Sequence, residues 1–200
     1  RQGKVVRRIA APEGVTPGDI ALAADGTLYA SDPLGGGLWR ARGDQAVLAP
    51  LVPAGTLRSP QGIAPAADGR RLYVSDYGAG IAIVDTTSGA VTRLAGTGAM
   101  MLDGIDGLLR HGDDLIALQN GTRPLRVVAL RLSADGTRVT ALRELLRRLP
   151  GEGEPTTGEV RNGKLHYVGN ARWDLYGKGG ALPAGASPAP TRIEVLILPK

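Results

Sequence analysis

The chain has no cysteine and no phenylalanine, and in 200 residues it carries only five tyrosines, two tryptophans, two histidines and two methionines. Without cysteine there are neither disulfides nor thiolate metal sites, although this says little about compartment. No stretch approaches the ~18 consecutive apolar residues of a membrane-spanning helix, and the chain does not open with a charged-then-apolar targeting segment. Familiar catalytic signatures are also missing: there is no Gly-x-Ser-x-Gly elbow, no Gly-Lys-Ser/Thr phosphate loop and no His-Glu-x-x-His zinc motif. His111 and His166 are too isolated to suggest a dyad and read as structural or surface residues. Lysine and arginine outnumber acids 24 to 19, for a net charge of +5. The basic residues are scattered and few aromatics interleave them, so nucleic acid is not expected as a partner. Their densest group, Arg143-Glu144-Leu145-Leu146-Arg147-Arg148, carries its own acid and reads as a solvated surface.

What is abundant is glycine, 30 residues, with 14 prolines and 42% apolar residues, the profile of a turn-rich β protein. One short phrase returns four times. Pro17-Gly18-Asp19-Ile20-Ala21 leads through Asp25-Gly26 to Leu28-Tyr29-Ala30-Ser31-Asp32, and Pro60-Gln61-Gly62-Ile63-Ala64 leads through Asp68-Gly69 to Leu72-Tyr73-Val74-Ser75-Asp76. The later copies are Ile105-Asp106-Gly107-Leu108 with Leu115-Ile116-Ala117-Leu118-Gln119, and Thr156-Thr157-Gly158 with His166-Tyr167-Val168-Gly169-Asn170. Each is a strand, a tight turn and a strand, since Asp-Gly and Asn162-Gly163 accept the positive backbone angles of hairpin turns. Third strands follow at 37–41, 81–84 and 126–130, and fourth strands are expected at 46–48, 91–94 and 138–142. Copies spaced roughly 43 to 51 residues apart, each of four antiparallel strands, predict an all-β propeller with blades near 17–51, 60–95, 104–146 and 154–198. The last blade is expected to close with 192–198 after an irregular loop at 174–190. Residues 1–9 read as the last strand of a preceding blade, and since the first residue is Arg1 the chain reads as a fragment without its amino-terminal blades. Ser31 and Ser75 occupy matching positions, which suits a scaffold task better than nucleophilic attack.

In a propeller the first strand of each blade lines the channel, so equivalent residues converge on one small volume. Here these are Gly18 with Asp19 beside it, Gln61, Asp106 and Thr157, with Glu154 and Asp103 close by. Oxygen-bearing side chains in a funnel suit a hard divalent cation such as calcium. They suit equally a wet channel in which polar groups hydrogen-bond blade backbones and water.

At these residues the chain resembles the senescence-marker-protein/gluconolactonase/luciferin-regenerating superfamily, six-bladed propellers close to NHL-repeat proteins. Gly104-Ile105-Asp106-Gly107-Leu108, Leu115-Ile116-Ala117-Leu118-Gln119-Asn120-Gly121, Glu154-Pro155-Thr156-Thr157-Gly158 and Asn170-Ala171-Arg172-Trp173 are similar to a bacterial branch of it. The resemblance implies a divalent metal, with Asp106 as the matching ligand and Gln61 standing where the family has asparagine. A second family asparagine falls at Gly18, and the first-blade glutamate would precede Arg1. It also implies an exported, periplasmic or secreted protein.

Two functions follow. One is a metal-dependent lactone or ester hydrolase, with Asp106 catalytic, Gln61 and Asp106 holding metal, and Asp19, Gln119, Asn120, Glu154 and Asn170 contacting a small-molecule ligand. The other is a non-catalytic NHL-type propeller that serves as a scaffold for a ligand or protein partner. With one matched carboxylate, residues 1–200 alone are expected to hold calcium weakly.

Overall fold

Each of the four repeats folds as an antiparallel sheet whose strands follow chain order. The computed structural model describes residues 3–98, 100–148 and 152–199. The first blade holds β1 (Ile20–Leu22), β2 (Leu28–Asp32), β3 (Gly37–Ala41) and β4 (Ala49–Val52), and the second β5 (Pro60–Pro65), β6 (Arg71–Asp76), β7 (Gly80–Asp85) and β8 (Val91–Arg93). The third holds β9 (Ile105–His111), β10 (Asp114–Gln119), β11 (Arg126–Leu132) and β12 (Val139–Arg147). The fourth holds β13 (Gly158–Arg161), β14 (Lys164–Val168) and β15 (Ile193–Ile197). The chain divides into two compact units, Arg1–Leu94 with the first two blades and Ala95–Lys200 with the other two.

The turns form where the dipeptides predict them. Asn162 and Gly163 both take positive φ, 51° and 69°, the requirement of a two-residue hairpin whose twist matches its strands. At Asp25 the carboxylate closes the turn by accepting the Thr27 amide and hydroxyl.

Packing between blades completes each unit. In the first, Tyr29 is 2% exposed and lies in one cluster with Leu38 and Val52 of its own blade and Ile63, Leu72, Val74, Ala82 and Val84 of the next. A large ring there fills the wedge between two twisted sheets. In the second, Ile116, Leu118, Val127 and Ala129 of the third blade pack on Leu165, Tyr167 and Leu198 of the fourth.

Three expectations change. The fourth sheet has three strands among the described residues, because 192–198 pairs directly on β14 and so takes the third position. The first blade's last strand lies at Ala49–Val52 rather than 46–48; the amide of Leu48 and the carbonyl of Ala46 instead bond the backbone of Ala10, a parallel bridge. Residues 4–9 belong to no ladder, and Ile9 and Ala11 pack on Ala30, Ala41 and Leu48 of the first blade. No helix among the described residues is long and apolar enough to cross a membrane.

Candidate functional site

The site begins with a defect in the sheet. Along the third blade Leu118 faces Gly107 and Gln119 faces Ile105, so the register shifts by one and Asp106 is the extra residue of a bulge. Such a bulge bends the strand and re-aims the side chain that it carries. The second blade does the same: Pro60 faces Asp76 and Ile63 faces Val74, leaving Gln61 and Gly62 against Ser75 alone. In the first blade Gly18 donates to the Ser31 carbonyl while the Ser31 amide donates to Asp19 O, and in the fourth Thr156 and Thr157 share Val168 in the same way. The two serines serve this geometry. The Asp19 amide donates to Ser31 Oγ, and Ser75 Oγ donates to Gly62 O.

Glycines let the chain approach itself closely around Asp106. A Cβ on Gly107 would stand 2.4 Å from the Thr156 carbonyl oxygen, and one on Gly104, whose φ is +64°, would stand 2.9 Å from the Gly121 backbone. The first contact sets the bulge against the start of the fourth blade, and the second, with the Gly121 amide donating to Gly104 O, brings the loop after β10 over the bulge, where Asn120 Nδ2 donates to Asp106 Oδ2 at 2.7 Å. Burial pushes the Asp106 carboxyl above its ordinary pKa, against the opposing effect of the Asn120 hydrogen bond. Glu154, held by an antiparallel bridge to Ala171, is likewise raised, first by burial and then by the charge of Asp174. It also feels Asp106, which raises it further, and the opposing charges of Arg123 and Arg172. Arg123 is anchored through Nη1 on the carbonyls of Asn120 and Thr122, while Arg172 pairs with Asp174 at 2.7 Å. The second unit thus places two acids of raised pKa, one carboxamide and two guanidiniums around one bulge.

Other expected ligand-binding residues hold the blades together. Gln119 is fully buried; its amide donates to the carbonyls of Met101 and Asp103, and its oxygen accepts Arg126 Nε at 2.7 Å. Asn170 clamps the irregular loop, donating to Pro190 O and accepting the Arg192 amide. Asp32 and Asp76, at the same strand end in the first unit, accept the amides of Gly35 and of Arg58 and Ser59. In every blade, then, the polar residue that ends the second strand is engaged by its own loops.

In the first unit Asp19 turns Oδ1 to the Ile20 amide, and Gln61 donates to Ser59 Oγ at 3.0 Å. A Cβ at Gly18 would stand 2.4 Å from Pro33 Cγ, so the position that lacks a side chain lacks the room for one. Among the described residues no three His, Cys, Asp or Glu side chains group as metal ligands. Calcium takes about six to eight oxygens, and around the bulge the second unit offers the carboxylates of Asp106 and Glu154 and the carboxamide of Asn120, whose N–H is turned to Asp106. This donor set does not make a cation cage.

Arg148 departs from the solvated surface expected of its neighbourhood. It is 7% exposed and donates to Glu194 Oε2 at 2.5 Å and to the Gly169 carbonyl, and Tyr167 donates its hydroxyl to the same carboxylate oxygen at 2.7 Å. Its partner Glu194 lies 46 residues away, beyond any local reading.

No family model matches the chain, and no curated protein matches it. Solved structures do. A gluconolactonase from Xanthomonas campestris aligns with a TM-score of 0.56 at 20% identity, over 83% of this chain and 58% of that one. A PQQ-bound aldose sugar dehydrogenase from Streptomyces coelicolor aligns at 0.59 and 20%, over 92% and 64%. A chain of a nidogen/laminin complex aligns at 0.59 and 19%, over 75% and 55%. The fold is a β-propeller. The superfamily resemblance is met at the level of fold by the gluconolactonase, and the chain spans between a half and two thirds of these structures' own lengths.

Proposed function

We propose that this protein hydrolyses a lactone or related ester at the Asp106 bulge. The observation that carries this reading is the pair of acids with raised pKa, Asp106 and Glu154, at the β9 bulge, where Asn120 donates to Asp106 and the charge of Arg123 acts on Glu154. Acids in such environments suit general acid–base work near neutral pH. Ionised Asp106, oriented by Asn120, takes a proton from water as the water oxygen bonds to the carbonyl carbon. The ring C–O bond then breaks, and the leaving oxygen takes a proton from Glu154. The products are a hydroxy acid and a site that regains its protonation by exchange with water. A gluconolactonase and a sugar dehydrogenase among the fold's neighbours support a sugar-derived lactone as the first substrate to try. To hold calcium the protein would need donors beyond the Asp106 bulge.

The test is lactone hydrolysis by the protein and by Asp106→Asn, with and without added calcium. The expected loss is about 10²–10⁴-fold in kcat, with an acid limb of the pH–rate profile above the ordinary carboxylate range. A variant as active as its parent overturns the assignment. A second reading, a non-catalytic scaffold, is favoured by Gly18 and Gln61, which bring no carboxylate to the first unit's bulges, and by the nidogen/laminin neighbour. Background-level hydrolysis of every lactone by the parent protein would establish that reading in place of the first.

A further inference from the structure

Beyond the bulge, the second unit carries a separate cleft of about 420 Å³, lined by Thr97, Met100, Met101, Arg126 and Leu142. It is walled by the segment that leads into the third blade on one side and by β11 and β12 on the other. Its volume lies in the range of small-molecule sites, which span roughly 300–1,000 Å³. Its wall is mostly apolar, and thioether side chains adapt to varied ligand shapes.

The one cationic group of that wall is oriented from below. Arg126 gives Nε to Gln119 Oε1, and the same glutamine amide holds the Met101 carbonyl, so the guanidinium and one methionine of the cleft are fixed by a single fully buried side chain. Arg126 forms no ion pair among the described residues. Glu144 feels its charge, but both oxygens of Glu144 are held by Arg147, at 2.9 and 3.0 Å. A guanidinium with one edge committed to a carboxamide and no ion pair among the described residues, at the wall of an apolar cleft, complements a carboxylate that carries a hydrophobic body.

We propose that this cleft is a ligand site for a small amphipathic monocarboxylate, a medium-chain or aryl acid whose carboxylate pairs with Arg126 and whose body lies against Met100, Met101 and Leu142. The site is independent of the hydrolase reading and shares no side chain with Asp106 or Glu154.

The chain contains two methionines, and both line the cleft, so their methyl resonances report on it alone. The experiment titrates the protein, labelled at the methionine methyls, with octanoate, octanamide and octylamine. Octanoate is expected to shift both methyl signals saturably, octanamide to bind at least about tenfold more weakly, since charge-assisted hydrogen bonds exceed neutral ones, and octylamine not to bind. Arg126→Leu should abolish octanoate binding. Should that variant fail to fold for want of the Gln119 contact, Leu142→Asp decides, because an acid placed in the cleft satisfies Arg126 and repels the ligand. Unshifted methyls at millimolar octanoate, equal affinity for acid and amide, or full affinity in the folded variant overturns the proposal.

Discussion

Ionisable groups show how single side chains in this protein divide between stability and chemistry. Asp106 has a folded pKa above its ordinary value, so the native state keeps the proton longer than the unfolded chain does. The stability associated with that proton is complete at low pH and is lost as pH rises through the raised value. Above the raised value the ionised carboxylate therefore burdens the fold, and at such pH Asp106→Asn, whose side-chain oxygen can still accept from Asn120, should melt at or above the parent temperature. A clearly lower melting temperature would mark Asp106 as a structural group. Tyr167 is pushed up to about 12, first by burial and then by its bond to Glu194. The sign is the same: the phenol's contribution is present below pH 10 and declines between 10 and about 12. Ultraviolet titration should show one phenol ionising near 12 that is absent in Tyr167→Phe. The variant should also lose less stability than the parent across that interval.

Strands and turns were legible because their determinants are local. Alternating apolar residues, Asp-Gly and Asn-Gly turns and a recurring phrase placed β1–β3, β5–β11 and β13–β14 within a few residues. The ends of blades were less so. Residues 46–48 are taken up by the backbone of Ala10, so β4 begins only after them, and β15 takes the third position of its sheet by pairing on β14. The bulges were invisible as such, since an unpaired residue exists only relative to a partner strand. Glycine at 107 is part of that device, and Gly107→Ala should drive its methyl into the Thr156 carbonyl. The expected cost is about 1–3 kcal/mol, as in other overpacked sites, read as a lowered urea midpoint together with weakening of the proposed lactone hydrolysis. Tyr29 acts at the junction of two elements. Its truncation to alanine should cost roughly 3–5 kcal/mol, as for other buried large aromatics, measured by chemical denaturation.

Each of the two units carries a strand with exposed apolar side chains. On β15, Ile193, Val195 and Ile197 are 63%, 53% and 76% exposed, and on β1 Ile20 and Leu22 are 63% and 71% exposed. Exposed apolar strands are templates for association, and inward or edge charges suppress it. The chain of 200 residues should therefore sediment as concentration-dependent oligomers, and Val195→Lys with Ile197→Lys should shift it toward the monomer. Unchanged sedimentation in the double variant would mean that β15 is not the adhesive surface.

From its own residues the sequence determined the fold class, the four repeats, the position of Asp106 and its neighbours Asn120 and Glu154 in the chain, and the scaffold task of Ser31 and Ser75. All of these depend on local pattern or on self-similarity at a fixed period. Only the tertiary structure decided which polar residues face one another. Asn120 reaches Asp106 because a bulge re-aims one side chain and the close approach of Gly104 to Gly121 brings the loop over it, while Gln119, adjacent in sequence, points into the blade and is consumed by Met101, Asp103 and Arg126. Arg148 is buried because Glu194, far along the chain, folds back to meet it. The physical reason is common to these cases: a side chain's task is set by its partner, and a partner distant in sequence is specified only by the packing of the folded chain.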